Sequence, residues 1–236
     1  MPDMTDQQGG SLRYAVDIVF CIDTTGSMQP VLESVKSSAL SFHHRLSTVM
    51  AEKGKSISQL RVKVIAFRDF GDRADDAIAA TEFLTLPGAA DEYEKFVSML
   101  RPSGGGDAPE SGLEALALAV RSPWEKGLDR RRHVIVMFTD APAHPLGSPA
   151  AVAARTYPRA IARSEDDLFE EWGYQSSQSG VMENSAKRLL IFAPDLEPWP
   201  EIADNWNNTI FFPSQAGEGL SEWEMDEIIQ TIVNSL

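Results

Sequence analysis

Three short segments of the chain carry clustered oxygen-bearing side chains. The first is Asp23-Thr24-Thr25-Gly26-Ser27, the second is the glycine-rich segment 104–110 with Asp107, and the third is Thr139-Asp140. Carboxylates and hydroxyls are hard oxygen donors that suit Mg²⁺, Mn²⁺ or Ca²⁺, and the segments lack the His or Cys ligands that zinc prefers. We therefore expect a divalent cation site, most simply for Mg²⁺, if the fold brings the three segments together.

The spacing Asp23-x-Thr25-x-Ser27 has a direct geometric meaning. Alternate residues of an extended segment point to the same side, so these three side chains can face one ligand. Two local roles compete with that interpretation. Ser27 precedes a helical pattern and suits an N-cap, and Asp23 suits a cap or a turn.

The surrounding hydrophobic pattern predicts alternating strands and helices. The predicted strands are Tyr14–Ile22, Leu60–Phe67, Ala80–Leu86, His133–Thr139, Leu189–Ala193 and Thr209–Phe212. The predicted helices are Gln29–Glu52, Asp91–Leu100, Glu110–Val120, Pro149–Arg163, Glu165–Trp172, Met182–Lys187, Glu201–Trp206 and Ser221–Leu236. This alternation indicates an α/β, doubly wound, Rossmann-like and mostly parallel six-stranded sheet with helices on both faces, in which Ala80–Leu86 can be an antiparallel edge. Ligands of such sheets bind outside the carboxyl ends of the strands, where the oxygen-rich segments lie.

On these residues the chain resembles the von Willebrand factor A domains that carry a metal-ion-dependent adhesion site. The resemblance implies strand order 3-2-1-4-5-6, with Mg²⁺ or Mn²⁺ at the top of the sheet. It implies that Thr25 and Ser27 bind the cation directly and that Asp23 and Asp140 bind directly or through water. The segments 104–110, 139–144 and 68–72 are similar to those of intracellular members, associated with atypical kinases and bacterial stress-response systems.

Asp107 departs from the family pattern, because many members have Thr at the matching position. With Asp23, Asp107 and Asp140 ionised, three negative charges face a divalent cation, which weakens the attraction for an acidic partner group. Two placements of Asp107 stay open: direct coordination, and a supporting position behind the ligands.

The domain organisation is predicted as a flexible leader at 1–13 and one domain at 14–236. Its segment 141–187 is long for a single connection, so we expect helices in it and a lid or docking surface that includes Trp172. Two interpretations of Arg68, Asp69 and Asp72 stay open: a solvated turn and support of the site. His144 is interpreted as a surface group.

Composition limits the partners. The chain has 236 residues, with 35 acidic against 21 basic residues and a formal net charge of −14. Nucleic acids and anionic membranes are bound largely through Lys and Arg, so neither is an expected partner. The single cysteine, Cys21, excludes an intramolecular disulfide and is expected to be buried. No stretch has the length of a membrane span and the first eleven residues lack the apolar core of a secretion signal, so a cytoplasmic location is expected.

These observations predict a metal-dependent protein–protein interaction module without catalytic activity. We expect a scaffold or regulatory subunit of a bacterial cytoplasmic signalling or stress/defence system. The alternative is a Mg-dependent phosphohydrolase. Two features count against this enzyme. The segment Asp23–Ser27 has one carboxylate where an Asp-x-Asp pair would supply the nucleophile and the acid. The chain also has neither a phosphate-binding Gly-x-x-x-x-Gly-Lys-Ser loop nor a Gly-x-Ser-x-Gly elbow. A structural subunit without metal is a third possibility.

Overall fold

The computed structural model describes residues 12–72, 75–105, 108–126, 130–173 and 180–214, together with 230, 231 and 234. The described strands are β1 (Leu12–Asp23), β2 (Lys55–Phe67), β3 (Ile78–Ala80), β4 (Leu84–Leu86), β5 (Arg131–Phe138), β6 (Lys187–Pro194) and β7 (Thr209–Ser214). The described helices are α1 (Gln29–Glu52), α2 (Ala90–Met99), α3 (Gly112–Val120), α4 (Pro149–Ala153), α5 (Glu165–Trp172) and α6 (Trp199–Asn205). None of the helices in these ranges is long and apolar enough to cross a bilayer.

The strands form one mixed sheet in the order β3-β2-β1-β5-β6-β7, with β4 also paired to β2. All neighbours are parallel except β3 and β4, which run antiparallel to β2. The predicted fold class and strand order are therefore confirmed, and the antiparallel edge lies where it was expected.

The edge strand is divided in two by an extra residue. Ala80 pairs with Ile65 and Leu84 pairs with Val62, so four steps along the edge match three steps along β2. At the break between β3 and β4, the Thr81 hydroxyl accepts a hydrogen bond from the Val64 amide of β2 at 3.0 Å. A bulge of this kind also makes an edge less suitable for pairing with another chain.

Both faces of the sheet are buried. In β1, Val16, Ile18 and Phe20 pack with α1 and α2 on one face, while Val19 and Cys21 pack with α3, α5 and α6 on the other. This double burial explains why β1 is a nearly continuous apolar run without polar alternation. The burial of Cys21 was predicted correctly.

Some predicted helices are absent or shorter. The prediction for Pro149–Arg163 is correct only for α4, since Pro158 would clash with the carbonyl of the residue four before it. Residues 182–187 form a single turn in which the amides of Ala186 and Lys187 donate to the Glu183 carbonyl at 3.0 and 2.9 Å. The prediction for Ser221–Leu236 lies largely outside the described residues, of which 230, 231 and 234 are helical.

Trp172 belongs to the core, so the prediction that it forms part of a lid or docking surface is wrong. Its side chain is fully buried and stacks on Trp206, with ring centroids 5.3 Å apart. Its indole nitrogen donates to the Asn207 carbonyl at 3.0 Å, so the polar atom is also satisfied. Segment 141–187 therefore packs against the face of the sheet that α5 and α6 cover.

The amino-terminal half of the sheet contains a buried ion network. Asp17 of β1 accepts hydrogen bonds from Arg61 of β2 at 2.8 and 2.6 Å and from Arg131 of β5 at 3.3 and 3.2 Å. Glu125 lies 2.8 Å from the Arg131 guanidinium. Asp17 and Arg131 are almost fully buried, so these contacts join three neighbouring strands where water does not compete.

Candidate metal centre

The turn after β1 is organised by Asp23, which is fully buried. Its Oδ1 accepts hydrogen bonds from the Thr25 amide at 2.8 Å and the Thr25 hydroxyl at 2.7 Å. Its Oδ2 accepts from the Thr139 hydroxyl at 2.7 Å. The turn-forming role considered for Asp23 is therefore present, and the same carboxylate connects the end of β1 to the end of β5.

The chain of contacts continues from Thr25 to Asp140. The hydroxyl oxygens of Thr25 and Ser27 are 3.1 Å apart, and Ser27 Oγ donates to Asp140 Oδ1 at 3.0 Å. Ser27 is not an N-cap: the residue before α1 is Met28, and no side chain caps that helix. Residues 26–28 form a 3-10 turn, so the side chains converge through a turn and not through fully extended backbone.

The glycine-rich segment packs directly on this turn. The Gly26 amide donates to the Gly104 carbonyl at 2.8 Å, and a Cβ atom on Gly26 would meet that oxygen at 2.8 Å. Gly105 has a φ of +75°, and a Cβ there would lie 2.9 Å from Thr25 Cβ. Glycine is thus required both for the backbone conformation and for the close approach.

The structure brings together four of the five predicted metal-binding residues. Asp23, Thr25, Ser27 and Asp140 form one connected set. Asp107 lies outside the described residues, so the prediction about its role stays a prediction.

The segment after β2 supports the neighbouring loops. Asp72 Oδ2 accepts from the Gly105 amide at 3.1 Å. Asp69 Oδ1 accepts from the Ser111 hydroxyl at 3.1 Å and lies 3.5 Å from His144 Nε2. Of the two interpretations of Asp69 and Asp72, these contacts favour support of the site.

Two further residues belong to the site but were not among the predicted ligands. Thr139 holds Asp23, as described above. Glu110 was assigned to a helix, but α3 begins only at Gly112, and Glu110 instead pairs with Ala143 beside the β5 loop. A Cβ on Gly105 would lie 3.1 Å from Glu110 Oε1, which places this carboxylate next to the Asp23–Ser27 turn. The sequence carried no local signal for this placement, because it depends on where α3 begins and on the pairing with Ala143.

Burial raises the pKa of these carboxyls, and repulsion between them adds to the effect for Asp23 and Glu110. Burial raises the pKa of Asp23 to about 6, opposed by the hydrogen bonds from Thr25 and Thr139. Burial also raises the pKa of Asp140. Glu110 is 3% exposed, and burial, followed by the charges of Asp23 and three other aspartates, raises its pKa to about 9. These three carboxyls are therefore harder to ionise than free carboxyls unless a positive charge lies nearby.

The chemistry of the donors fits a hard divalent cation. Asp140 Oδ2 and Glu110 Oε2 are buried and have no hydrogen-bond partner in the described part of the chain. Buried polar atoms of this kind are uncommon unless an ion or water satisfies them. Within the described ranges no three His, Cys, Asp or Glu side chains form a metal-binding group by themselves. The candidate set instead combines carboxylates with the hydroxyls of Thr25 and Ser27, a mixture that suits Mg²⁺ or Mn²⁺.

Comparison with known proteins gives one family match. The sequence profile of the family described as von Willebrand factor A domain matches residues 17–161. The alpha-protein kinase vwkA of Dictyostelium discoideum is 29% identical over 143 residues, which are 61% of this chain and 21% of the kinase. The chain thus spans about a fifth of that relative's length.

Solved structures share the fold at low sequence identity. The pilus adhesin SpaC of Lactobacillus rhamnosus GG superposes with a TM-score of 0.53 at 10% identity, over 94% of this chain and 30% of the adhesin. The proximal thread matrix protein 1 of the mussel byssus gives 0.52 at 11% identity, over 95% of this chain and 49% of that protein. At these identities the likeness concerns the fold alone.

Proposed function

Because the chain belongs to the von Willebrand factor A domain family, whose members serve in protein interaction, we propose that it is a metal-dependent protein-interaction module. Asp23, Thr25, Ser27 and Asp140 would hold one Mg²⁺ or Mn²⁺, with Asp107 as a further candidate. The observation that carries the proposal is an unbroken series of contacts that runs from Thr139 through Asp23, Thr25 and Ser27 to Asp140. It ends at a buried Asp140 oxygen that has no hydrogen-bond partner among the described residues.

Each side chain has a distinct task in this proposal. Asp23 and Asp140 supply negative charge, and Thr25 and Ser27 supply neutral oxygens. Thr139 and the Thr25 amide fix the orientation of Asp23, and such supporting contacts commonly contribute 10- to 100-fold to metal affinity, as an order of magnitude. Glu110 adds a carboxyl that ionises readily only when positive charge is nearby.

The partner is proposed to approach from the Ser27 side. Asp23 and Thr25 are fully buried, whereas Ser27 is exposed, so solvent reaches the site there. A bound cation would supply a positive centre for an oxygen atom of the partner. The surplus of carboxyls around it favours a neutral oxygen over an acidic side chain.

The cellular role is proposed as a scaffold or regulatory subunit of a bacterial cytoplasmic signalling or stress/defence system. The segments 68–72, 104–110 and 139–144, which resemble those of intracellular family members, support this assignment. The relative named an alpha-protein kinase supports a link to signalling.

We propose that the site binds without catalysing a reaction. Both oxygens of Asp23 are occupied by hydrogen bonds from Thr25 and Thr139, so this carboxylate is not free to attack a phosphoryl group. We expect no hydrolysis of p-nitrophenyl phosphate above background with Mg²⁺. Turnover that disappears in Asp23→Asn would contradict this part of the proposal.

The test of the proposal is affinity capture from a lysate of the native host. The wild-type protein with Mg²⁺ should retain partners that are lost with EDTA and lost with Asp23→Asn. The matched control is Asp91→Asn, a change at an exposed position of α2, which should retain them. An identical set of captured proteins under all four conditions would contradict metal-dependent binding.

A further inference from the structure

A groove of about 290 Å³ lies between α5 and α6, separate from the candidate metal ligands. Its floor is formed by buried apolar side chains, those of Leu113, Leu168, Ile202 and Trp206. The volume is at the lower end of the ~300–1,000 Å³ range of ligand pockets, which suits one or two apolar side chains.

The rim of the groove is negative. Glu165 and Asp166 of α5 and Glu201 of α6 are exposed, and within the described chain their carboxylates have no hydrogen bond or ion pair. No described residue that lines the groove is Lys, Arg or His. The first-turn position of each acid suits its helix dipole. The dipoles do not explain why three carboxylates from two helices converge on one apolar floor.

The groove lies on the side of the sheet opposite α1. Its α6 wall is anchored by Trp199, whose indole donates at 2.9 Å to the carbonyl of Ala141, the residue after Asp140. Asn234 lies on the opposite side of the sheet from the groove, because its side chain accepts a hydrogen bond from Lys53 at the end of α1. A second copy of the chain carries the same net charge of −14 and is a poor match for a negative rim.

We propose that this groove binds a short segment of a partner protein in which a large apolar side chain is flanked by Lys or Arg. The apolar side chain is buried against Ile202 and Trp206, and the basic groups face Glu165, Asp166 and Glu201. Apolar burial provides most of the affinity, and the charges provide orientation and selectivity. The groove contains none of the proposed metal ligands, so its binding does not depend on the cation.

The test uses fluorescence anisotropy with a labelled peptide of about twelve residues, in which two leucines are flanked by lysines. Measurements are made in EDTA, so that failure of the metal site leaves the result unchanged. We expect saturable binding that weakens at least about tenfold in Glu165→Lys/Asp166→Lys/Glu201→Lys. A peptide with Glu in place of Lys and a peptide with Ser in place of Leu should both bind at least about tenfold more weakly than the original.

The matched control is the charge reversal Asp91→Lys/Glu92→Lys, at two exposed positions of α2 on the other face. This control should change the affinity less than about twofold, because it leaves the groove intact. Equal weakening by both reversals would show attraction to the overall charge of the protein and would overturn the proposal. Equal binding of the serine peptide would overturn it as well, because the apolar floor would then have no role. Self-association of the chain through this groove, detected by light scattering of the wild type and not of the triple variant, would also overturn it.

Discussion

Asp23, Glu110 and Asp140 are acids placed where water cannot stabilise their charges. Each has its pKa raised by burial, and the three lie close enough to repel one another. A carboxylate in this situation either binds a proton or binds a cation. The balance between these two states makes the site testable through pH.

The first prediction is that stabilisation by Mg²⁺ increases with pH. The folded, metal-free protein has a pKa for Asp23 of about 6, above its ordinary value of 3.8, so this group stabilises the fold below pH 3.8 and that stability is lost as pH rises through about 6. Glu110, with a pKa raised to about 9, extends the loss to higher pH. A cation relieves the same repulsion, so the rise in melting temperature with Mg²⁺ should be small near about pH 5 and larger near about pH 8. A rise that is independent of pH would contradict it.

The second prediction concerns Glu110→Gln. At pH 7 the metal-free carboxyl is mostly protonated, so the glutamine variant should melt at nearly the wild-type temperature without metal. With Mn²⁺ the variant lacks a carboxylate that can ionise beside the cation, so its affinity should fall about tenfold. Calorimetric titration measures the affinity and differential scanning fluorimetry measures the melting temperature. Unchanged affinity would exclude Glu110 from the metal environment.

The sequence was sufficient to predict that Asp23, Thr25, Ser27 and Asp140 lie together, because their types and their positions near the ends of apolar strands are local properties. Their binding of a metal stays a prediction. Glu110 was beyond that kind of inference. Its role depends on α3 starting two residues later and on a backbone pairing with Ala143, which lies 33 positions away in the chain. Partners distant in sequence leave no local pattern.

At the scale of elements, the candidate metal centre depends on glycines that allow two loops to touch. The third prediction is that Gly105→Ala destabilises the protein by about 3 kcal/mol, through both its left-handed φ and the clash with Thr25, and weakens Mn²⁺ binding. Gly54→Ala is the matched control, since Gly54 has a φ of +66° and no heavy atom within 4 Å of an added Cβ. The control should cost about 1 kcal/mol and leave Mn²⁺ affinity unchanged.

Chemical denaturation measures the free energy of unfolding of the alanine variants, and calorimetric titration measures their Mn²⁺ affinity. Equal losses of stability in the two alanine variants would show that the contact between the loops is not tight.

The elements were predictable to different degrees for physical reasons. The bounds of α1 and α5 were predicted correctly, because each has an amphipathic pattern long enough for the helical repeat to be unambiguous. The segment 182–187 contains good helix formers but closes only one turn before β6, and a single turn does not repay the cost of nucleation. The burial of Trp172 depends on Trp206, which the sequence places 34 positions later.

At the scale of the whole molecule, the buried ion network of Asp17 and the candidate metal centre lie at different ends of the sheet. The fourth prediction is that Asp17→Asn lowers the free energy of unfolding by about 3 kcal/mol, because among the described residues Arg131 then keeps Glu125 as its one acidic partner. Urea denaturation measures this loss. The rise in melting temperature with Mg²⁺ should be preserved, since Asp17 is far along β1 from Asp23. A loss of Mg²⁺ response in this variant would show that the two ends are coupled.

The central claim is that one divalent cation is held by side chains from the ends of β1 and β5. Isothermal titration of Mn²⁺ into the wild type, Asp140→Asn and the control Asp91→Asn tests it most directly. The claim predicts one saturable site per chain in the wild type and the control, weakened at least about tenfold in Asp140→Asn, because a charged ligand is replaced by a neutral one. The absence of saturable binding to the wild type, or equal affinity in all three proteins, would contradict it.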